Sequence, residues 1–402
     1  MTKDKTDGIL NAKGNANSDE MGNAKANADR NANADEMGSA NTNANSNSSA
    51  YANAKANSND NANAKANEIT VPTNLCDEAG NLNQNSIGWA KTPLIGSNLS
   101  GSYLRKKRWN YWAVTTPDVL FSATISHLDY AAVMFVYILD LKTLRFFEKT
   151  ELVPFGKGVH MPEKVNASLQ YAGKNLMIGM EEKGAATEIK VECPNFSGKG
   201  VSLSANLMVH RPDGHESLNV VVPWSDKHFQ YTSKQPTLPT EGEVRWGEDH
   251  YHFSKKEAFA CLDFGRGKWP YSSTWNWASA SGETGGHVVG LNFGGQWTDG
   301  TGQNENGIVV DGKLTKIHED IVWKYDKTDF MKPWTLRSEK TDAVSLTFEP
   351  LFERTAATKA VVIQSEVHQM IGIFKGHVKT VDGKTIAIDS LLGWAEDHMA
   401  RW

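Results

Sequence analysis

The chain has 402 residues, of which 39% are hydrophobic and 22% charged, and its formal net charge is −5. No basic stripe is present, so nucleic-acid binding, which needs several placed cations, is not expected. The longest apolar run, residues 131–139, is too short to cross a bilayer as a helix, so no transmembrane segment is expected.

The first 68 residues differ in composition from all that follow. They repeat Asn and Ala, their only aromatic side chain is Tyr51, and all 13 Trp and 13 Pro residues lie beyond them. A segment with so little to bury cannot offset the entropy lost on ordering. We therefore predict a disordered, low-complexity leader over residues 1–68 and a folded domain over residues 69–402.

Cysteine usage and the N-terminus bear on the compartment. Cys76, Cys193 and Cys261 are odd in number, far apart and without metal-type spacing, which predicts free thiols in a reducing environment. The residues after Met1 contain no apolar signal core. A cytoplasmic protein is expected, provided that residue 1 is the true start.

Beyond residue 69 the hydrophobic period is two, which is typical of strands. Asp-Gly pairs at 311–312 and 382–383 lie between strand-like runs and predict hairpins. No convincing amphipathic helix exceeds three turns. Short strands with regular turn signals predict an all-β fold, an antiparallel lipocalin- or calycin-like β-barrel architecture.

Two stretches interrupt this pattern. Residues 223–239 are rich in Pro, Ser and Lys and predict a seam between two barrel-like halves, 89–235 and 240–402. A loop within one large barrel is the alternative. Residues 255–285 are the least strand-like part of the domain and predict a helical turn or a long loop.

The first candidate site lies within that second stretch. Trp275 and Trp277 would share one face of a strand and Asn276 the other. Paired indoles form a stacking platform for a flat ligand, and Arg266 is a further candidate ligand-binding residue. The alternative is structural: the Trp side chains would plug a barrel end, and Asp263 and Arg266 would form a buried ion pair.

The second candidate is the glycine-rich loop 294–307. Its glycines permit positive φ and close approach to a ligand, with Trp297 and Asn306 as binding candidates. Asp299 and Glu305 would converge there as an acid and a base. The loop lacks the Lys and Ser/Thr of a phosphate loop. An ordinary tight turn or an oxygen cage for Ca²⁺ is the alternative.

The third candidate lies near the end of the chain, where carboxylates and histidines cluster. Glu366 and His368 would face the same side of a strand, and a Glu beside a His in a dry cavity suits acid–base work. Glu396, His398 and the nearby Trp394 complete this group. A structural hydrogen-bonded pair is the alternative.

A metal site is not predicted. His250 and His252 would share a face next to Asp249, but no third and fourth ligand follows at a recognisable spacing. No cofactor is predicted either, because the dinucleotide fingerprint, the zincin helix and the nucleophile elbow are missing.

Several long motifs resemble one bacterial family, the domain of unknown function 2804. Its core motif is similar to residues 262–271 and 274–278, a second block to residues 290–302 and 305–306, and a third to segments 352–354, 365–369 and 393–398. The resemblance covers about residues 75–402 and implies no established activity. More distantly, the carboxylates and Trp near the chain end resemble the lipocalin-like hydratases that act on carotenoids.

Three hypotheses of function follow. The first is an apolar, Trp-lined cavity that binds a small hydrophobic molecule and acts on it as a hydratase, isomerase or cyclase. The second is a carbohydrate-binding or carbohydrate-active protein with stacking Trp residues. The third is a non-catalytic binding or scaffold protein that uses the leader as a tether. The oligomeric state is not predicted.

Overall fold

The computed structural model describes residues 67–360 and 363–401. Apart from a 3₁₀ turn at Gln84–Ser86, the regular elements of this described part are β-strands. The leader predicted over residues 1–68 lies outside it, except for Asn67 and Glu68. Across the described ranges, no helix is long and apolar enough to cross a membrane.

Thirteen strands form the first sheet, and every pair in it is antiparallel. They are β2 (Gly88–Ala90), β4 (Lys106–Thr115), β5 (Val119–His127), β6 (Ala131–Asp140), β7 (Arg145–Pro154), β8 (Leu169–Ala172), β9 (Met177–Glu182), β10 (Ala186–Cys193), β11 (Leu203–His210), β12 (Leu218–Ser225), β13 (His228–Trp246), β14 (Asp249–Phe253) and β15 (Phe259–Lys268). Their order is β7-β6-β5-β4-β15-β13-β11-β10-β9-β8, with β12 and β14 paired to β13 and β2 paired to β12.

Nine strands form the second sheet, which is also antiparallel. They are β16 (Ser272–Thr284), β17 (His287–Gly295), β18 (Gly307–Val310), β19 (Lys313–Lys316), β20 (Ile321–Lys324), β21 (Trp334–Ser338), β22 (Val344–Ala360), β23 (Ile363–Lys379) and β24 (Thr385–Arg401). Their order is β19-β18-β17-β16-β24-β23-β22-β21-β20. A separate parallel pair joins β1 (Thr73–Asn74) to β3 (Ile95–Gly96). The predicted all-β, barrel-like architecture is confirmed as two curled antiparallel sheets.

Each sheet has an apolar core of its own, and residues of both sheets form two further clusters, of which one contains Tyr111 and Trp277 and the other Leu218 and Val309. In β4, Trp112 and Val114 pack into the first core, whereas Tyr111 and Ala113 face Trp277 of the second sheet. Because successive side chains of a strand point to opposite faces, one strand supplies both cores. We call the shared cluster around Trp277 the inter-sheet core; it contains Tyr111, Ala113, Leu120, Tyr137, Leu139, Cys261, Trp277, Ile371 and Trp394.

The Pro-rich stretch 223–239 is not a loop. Most of it lies in β12 and β13, and β13 continues beyond it to Trp246. The stretch tolerates proline because the register between β13 and β15 shifts between Gln235 and Leu238, and bulges accommodate residues without an N–H. The boundary between the two sheets falls later in the chain, between Lys268 and Ser272.

The prediction of a helical turn or long loop over 255–285 was wrong, because β15 and β16 occupy most of it. Glycines and polar residues weakened the strand signal in the sequence. In the structure those glycines allow close packing: a Cβ on Gly265 would lie 2.1 Å from the Trp109 ring. The polar side chains of Asp263, Arg266 and Asn276 are buried with partners, so tertiary contacts determine these strands rather than local propensity.

Candidate functional site

The two faces of β24 divide the candidate residues into two groups. Trp394 and Glu396 point toward the first sheet, while Ala395 belongs to the core of the second sheet. The strand register places Glu396 opposite Trp277 on β16 and opposite Gln369 on β23. Residues more than a hundred positions apart in the sequence therefore meet between the sheets.

Glu396 is the centre of the first group. Its carboxyl group is buried and accepts hydrogen bonds from Trp275 Nε1 at 3.1 Å and Gln369 Nε2 at 3.3 Å. Burial raises the pKa of Glu396 to about 7, against the lowering effects of the Trp275 hydrogen bond and of Arg354 and Lys234. Both direct hydrogen-bond partners are neutral, and the more distant cations Arg354 and Lys234 do not outweigh the effect of burial.

Gln369 connects Glu396 to a tyrosine pair. Its Oε1 accepts from Tyr137 Oη at 3.1 Å and from Arg354 at 3.4 Å, and the hydroxyls of Tyr111 and Tyr137 lie 2.7 Å apart. Arg354 is paired with Glu148 at 2.8 Å. Burial raises the pKa of Tyr137 to about 12, so both hydroxyls keep their protons at neutral pH. We call the following set the carboxyl cluster: Glu396, Trp275, Gln369, Tyr111, Tyr137, Arg354 and Glu148.

A second buried group, the lysine cluster, lies on the same interface. Lys234 Nζ is 2.9 Å from Asp263 Oδ1 and 3.1 Å from Glu305 Oε2, and it lies 4.3 Å from the centre of the Trp277 ring. Trp297 Nε1 donates to Glu305 Oε1 at 3.0 Å. Burial alone would lower the pKa of Lys234, but the two carboxylates outweigh it and raise that pKa. Burial raises the pKa of Glu305, against the effect of Lys234.

Four buried polar atoms at this interface have no hydrogen-bond partner within the described residues: Trp394 Nε1, Glu305 Oε2, Ser122 Oγ and Thr124 Oγ1. The Trp394 ring packs edge-on against Tyr111 and Trp277. Glu305 Oε2, however, lies 3.1 Å from Lys234 Nζ, so the ammonium group compensates its charge. Buried polar atoms are costly when left unsatisfied, so they mark places where a ligand or water would be stabilised.

A cluster of indoles leads from the carboxyl cluster toward the surface. Trp269 is its centre, with ring centroids 5.5 Å from Trp275, 5.4 Å from Trp297, 4.8 Å from Trp224 and 6.1 Å from Trp109. Trp109, Trp224 and Trp275 are only half-buried. Trp275 therefore touches both the buried carboxyl group and the partly exposed aromatic cluster.

The second group of candidates lies on the opposite face of β16, β23 and β24. Asn276 donates to Tyr325 Oη at 2.9 Å and to the Glu396 backbone carbonyl at 3.0 Å, and it accepts from Gln296. Asp299 accepts from the backbone N–H of Gln296, and burial together with Asp320 raises its pKa. Asp299 and Glu305 thus have different partners, and the expected acid–base pair is not formed.

Glu366 and His368 do meet, as their spacing predicted. His368 Nε2 is 3.4 Å from Glu366, and its Nδ1 is 2.7 Å from Glu353. The ring also stacks on Phe330 at 4.4 Å. Glu366 keeps 45% of its side chain exposed and His368 keeps 25%, so this pair is open to solvent and does not lie in the predicted dry cavity.

His398 and Asn306 have local structural partners. The His398 ring packs on Trp275 at 3.9 Å, and its Nε2 lies 2.9 Å from Ser365 Oγ. Burial, then Arg354 and His368, lowers the pKa of His398, so the ring is neutral. Asn306 accepts from the Gly294 N–H and donates to a backbone carbonyl. It fixes the start of β18 next to Glu305.

The expected ion pair between Asp263 and Arg266 is not formed. The two residues are three positions apart on β15, so their side chains point to opposite faces of the strand. Arg266 is buried on the first sheet's own side and makes five hydrogen bonds. Its acceptors are the backbone carbonyls of Trp109, Pro162 and Gly265 and the Asn110 side chain. Its five N–H donors are therefore used inside the fold.

Sequence reasoning missed Lys234, Gln369 and the tyrosine pair. Lys234 lies in the Pro-rich stretch whose composition predicts a seam, and Gln369 is a neutral residue next to the titratable His368. Tyr111 and Tyr137 belong to strongly apolar strands, where they read as core residues. Strand alternation could have indicated Gln369, because it lies one position away from His368 and so faces the other side of the strand.

The chain belongs to the family described as Domain of unknown function (DUF2804), whose model matches residues 66–402. No curated protein matches the chain.

Three solved structures are similar to it. CghA with Sch210972 is 9% identical and covers 74% of this chain and 89% of its own, with a TM-score of 0.46. A Nitrosomonas europaea protein provisionally named AttH is 11% identical, with coverages of 73% and 92% and a TM-score of 0.45. Kievitone hydratase from Nectria haematococca is 10% identical, with coverages of 73% and 88% and a TM-score of 0.41. Likeness at this level carries no information about chemistry.

Proposed function

We propose that this member of the DUF2804 family binds a small, largely apolar molecule between its two sheets and transforms it by acid–base chemistry at Glu396. The observation that carries the proposal is a buried carboxyl group whose pKa is raised to about 7 and whose direct partners are both neutral. A catalytic acid or base works best when its pKa lies near the working pH.

The hydrogen bonds of Glu396 support a role as a proton donor. Trp275 and Gln369 both donate to its carboxyl group, so neither takes up the proton of the acid form. That proton remains available to a bound molecule. The same two donors would then stabilise the carboxylate that remains, which favours reversible proton transfer.

The walls around Glu396 indicate the class of substrate. Trp277, Trp394 and Ile371 are buried there, so most of a bound molecule would contact apolar surface. Trp394 Nε1 offers a donor without a hydrogen-bond partner in the described structure, and Glu305 Oε2 offers an acceptor that is paired with Lys234. We infer a substrate with one or two polar groups, such as an unsaturated alcohol or ketone, and a hydration, isomerisation or cyclisation that begins with protonation.

Entry to this site requires movement. Two surface depressions, of about 540 and 360 Å³, include no member of the carboxyl or lysine clusters; the first is lined by residues 67–74, 83 and 85, and the second by residues 315–319, 341–343, 379–381 and 383. Trp275 is half-buried and hydrogen-bonded to Glu396, so it separates the carboxyl group from the partly exposed indoles. We expect the Trp275 side chain to swing aside when the ligand enters.

The carbohydrate hypothesis has less support. Trp277 and Trp297 are buried, and their indole N–H groups donate to Asn292 and Glu305 inside the protein. Stacking on a sugar needs an exposed aromatic face. The scaffold hypothesis depends on the leader and stays a prediction.

Acid–base chemistry at carbon in D₂O leaves deuterium in the product. We would incubate the protein in D₂O with an organic-solvent extract of its source organism and search by mass spectrometry for protein-dependent labelled compounds. We expect labelling by the wild type. With Glu396→Gln the labelling rate should fall by a factor of about 100 or more, since a positioned acid typically contributes at least that much.

Glu349→Gln is the matched control, because Glu349 is an exposed carboxylate on β22 that pairs with Lys375. It should label as fast as the wild type. Equal labelling by Glu396→Gln would contradict the role of Glu396, and a wild type that labels nothing would contradict the enzymatic part of the proposal.

A further inference from the structure

Three potential metal ligands lie together on the two strands β13 and β14, away from the inter-sheet clusters. The register pairs Glu243 with His252 and Arg245 with His250, so all four side chains lie on one face. One ligand atom from each of Glu243, His250 and His252 lies within 4.8 Å of the other two. The sequence spacing could not reveal this group, because Glu243 comes from the neighbouring strand.

An ordinary ion pair explains only part of this arrangement. Glu243 Oε2 lies 2.6 Å from His250 Nε2, and Arg245 holds the other carboxylate oxygen at 3.0 Å. His252 has no hydrogen bond or ion pair among the described residues, yet its ring lies 4.1 Å from that of His250. Two imidazoles that close to each other and to a carboxylate form a set that a cation would bridge.

We propose that Glu243, His250 and His252 bind Zn²⁺ or a similar borderline divalent cation, with water completing the coordination. Imidazole nitrogens and a carboxylate oxygen are typical zinc ligands, at about 2.0–2.2 Å from the metal. Tetrahedral bonds of that length separate ligand atoms by roughly 3.5 Å. The present spacing reaches this after small side-chain rotations, which are inexpensive because His250 and His252 are exposed.

The neighbouring charges define the bound form. In it the metal takes the place of the contact between Glu243 Oε2 and His250, while Arg245 stays on Oε1 and orients the carboxylate. β14 has five residues and pairs with β13. The metal would therefore fasten a short strand to the longer one, and we assign it a structural role.

The test is a calorimetric titration of the metal-free, full-length protein with Zn²⁺ alone. We expect one saturable site in the wild type, and binding weakened roughly tenfold or more in His250→Ala, His252→Ala and Glu243→Gln. His377→Ala is the control, because His377 is also a partly exposed strand histidine paired with a carboxylate, Asp342. It should bind as the wild type does.

Thermal melts separate metal binding from damage to the fold. Without metal, His252→Ala should melt close to the wild type, because His252 has no hydrogen bond to lose among the described residues. With Zn²⁺ only the wild type and His377→Ala should gain stability. Equal Zn²⁺ affinity in the wild type and His252→Ala would overturn the proposal. So would the absence of binding to the wild type at Zn²⁺ concentrations on the order of 100 μM.

Discussion

Glu396→Gln is expected to remove about 2.5 kcal/mol of the change in unfolding free energy between pH 5 and pH 8. The pKa of Glu396 is raised from 4.5 to about 7 in the folded protein, so the folded state binds a proton more tightly than the unfolded chain. This contribution to stability is fully present below pH 4.5 and is lost as the pH rises through 7. Gln cannot ionise, so the variant lacks it.

Urea unfolding of the wild type and the variant at pH 5 and pH 8 measures this difference. The quantity to compare is the change of the unfolding free energy between pH 5 and pH 8. The amide introduced by the substitution also alters the hydrogen bonds with Trp275 and Gln369, but this contribution to stability does not depend on pH. Glu349→Gln should retain the pH dependence of the wild type. If the wild type and Glu396→Gln lose stability in parallel, Glu396 is already ionised at pH 5.

Lys234→Met should destabilise the protein by about 3–5 kcal/mol at pH 8, because removing one partner leaves uncompensated buried charge. Asp263 and Glu305 contact the same ammonium group, and all three side chains are buried. The loss should be smaller at pH 5, where a carboxyl group deprived of its cation can take up a proton. Urea unfolding at both pH values measures it.

Two further variants identify the cause. Lys234→Met combined with Asp263→Asn and Glu305→Gln should recover much of the lost stability, because no buried charge then remains. Lys375→Met removes an exposed lysine from its pair with Glu349 and should cost less than about 1 kcal/mol. A loss for Lys234→Met as small as that of Lys375→Met would mean that Lys234 is hydrated rather than buried.

The sequence predicted most strands because alternation is a local signal. The hairpins around Asp311 and Gly312 and around Asp382 and Gly383 were identified in this way. β15 and β16 were not, because their stability comes from partners in distant segments: Asp263 needs Lys234, and Asn276 needs Tyr325. A polar residue that disfavours a strand in isolation finds its hydrogen-bond or ion-pair partners only after the sheets assemble.

The candidate site was predicted only in part for the same reason. Glu366 and His368 were paired correctly because they are two positions apart on one strand. Glu396 was identified as a candidate, but its contacts with Trp275 and Gln369 follow from the registers of β16, β24 and β23. A shift of one residue in either register would turn the carboxyl group to the other face, and no sequence pattern fixes that choice.

Infrared difference spectroscopy of the wild type against Glu396→Gln, from pH 5 to pH 9, observes the protonation of Glu396 itself. A protonated carboxyl group has a carbonyl stretch that a carboxylate and an amide lack. We predict that this band is present at pH 6 and disappears with a midpoint near pH 7, as the raised pKa requires. A band already lost at pH 6, with a midpoint near the ordinary 4.5 of a glutamate, would contradict a buried acid at this site.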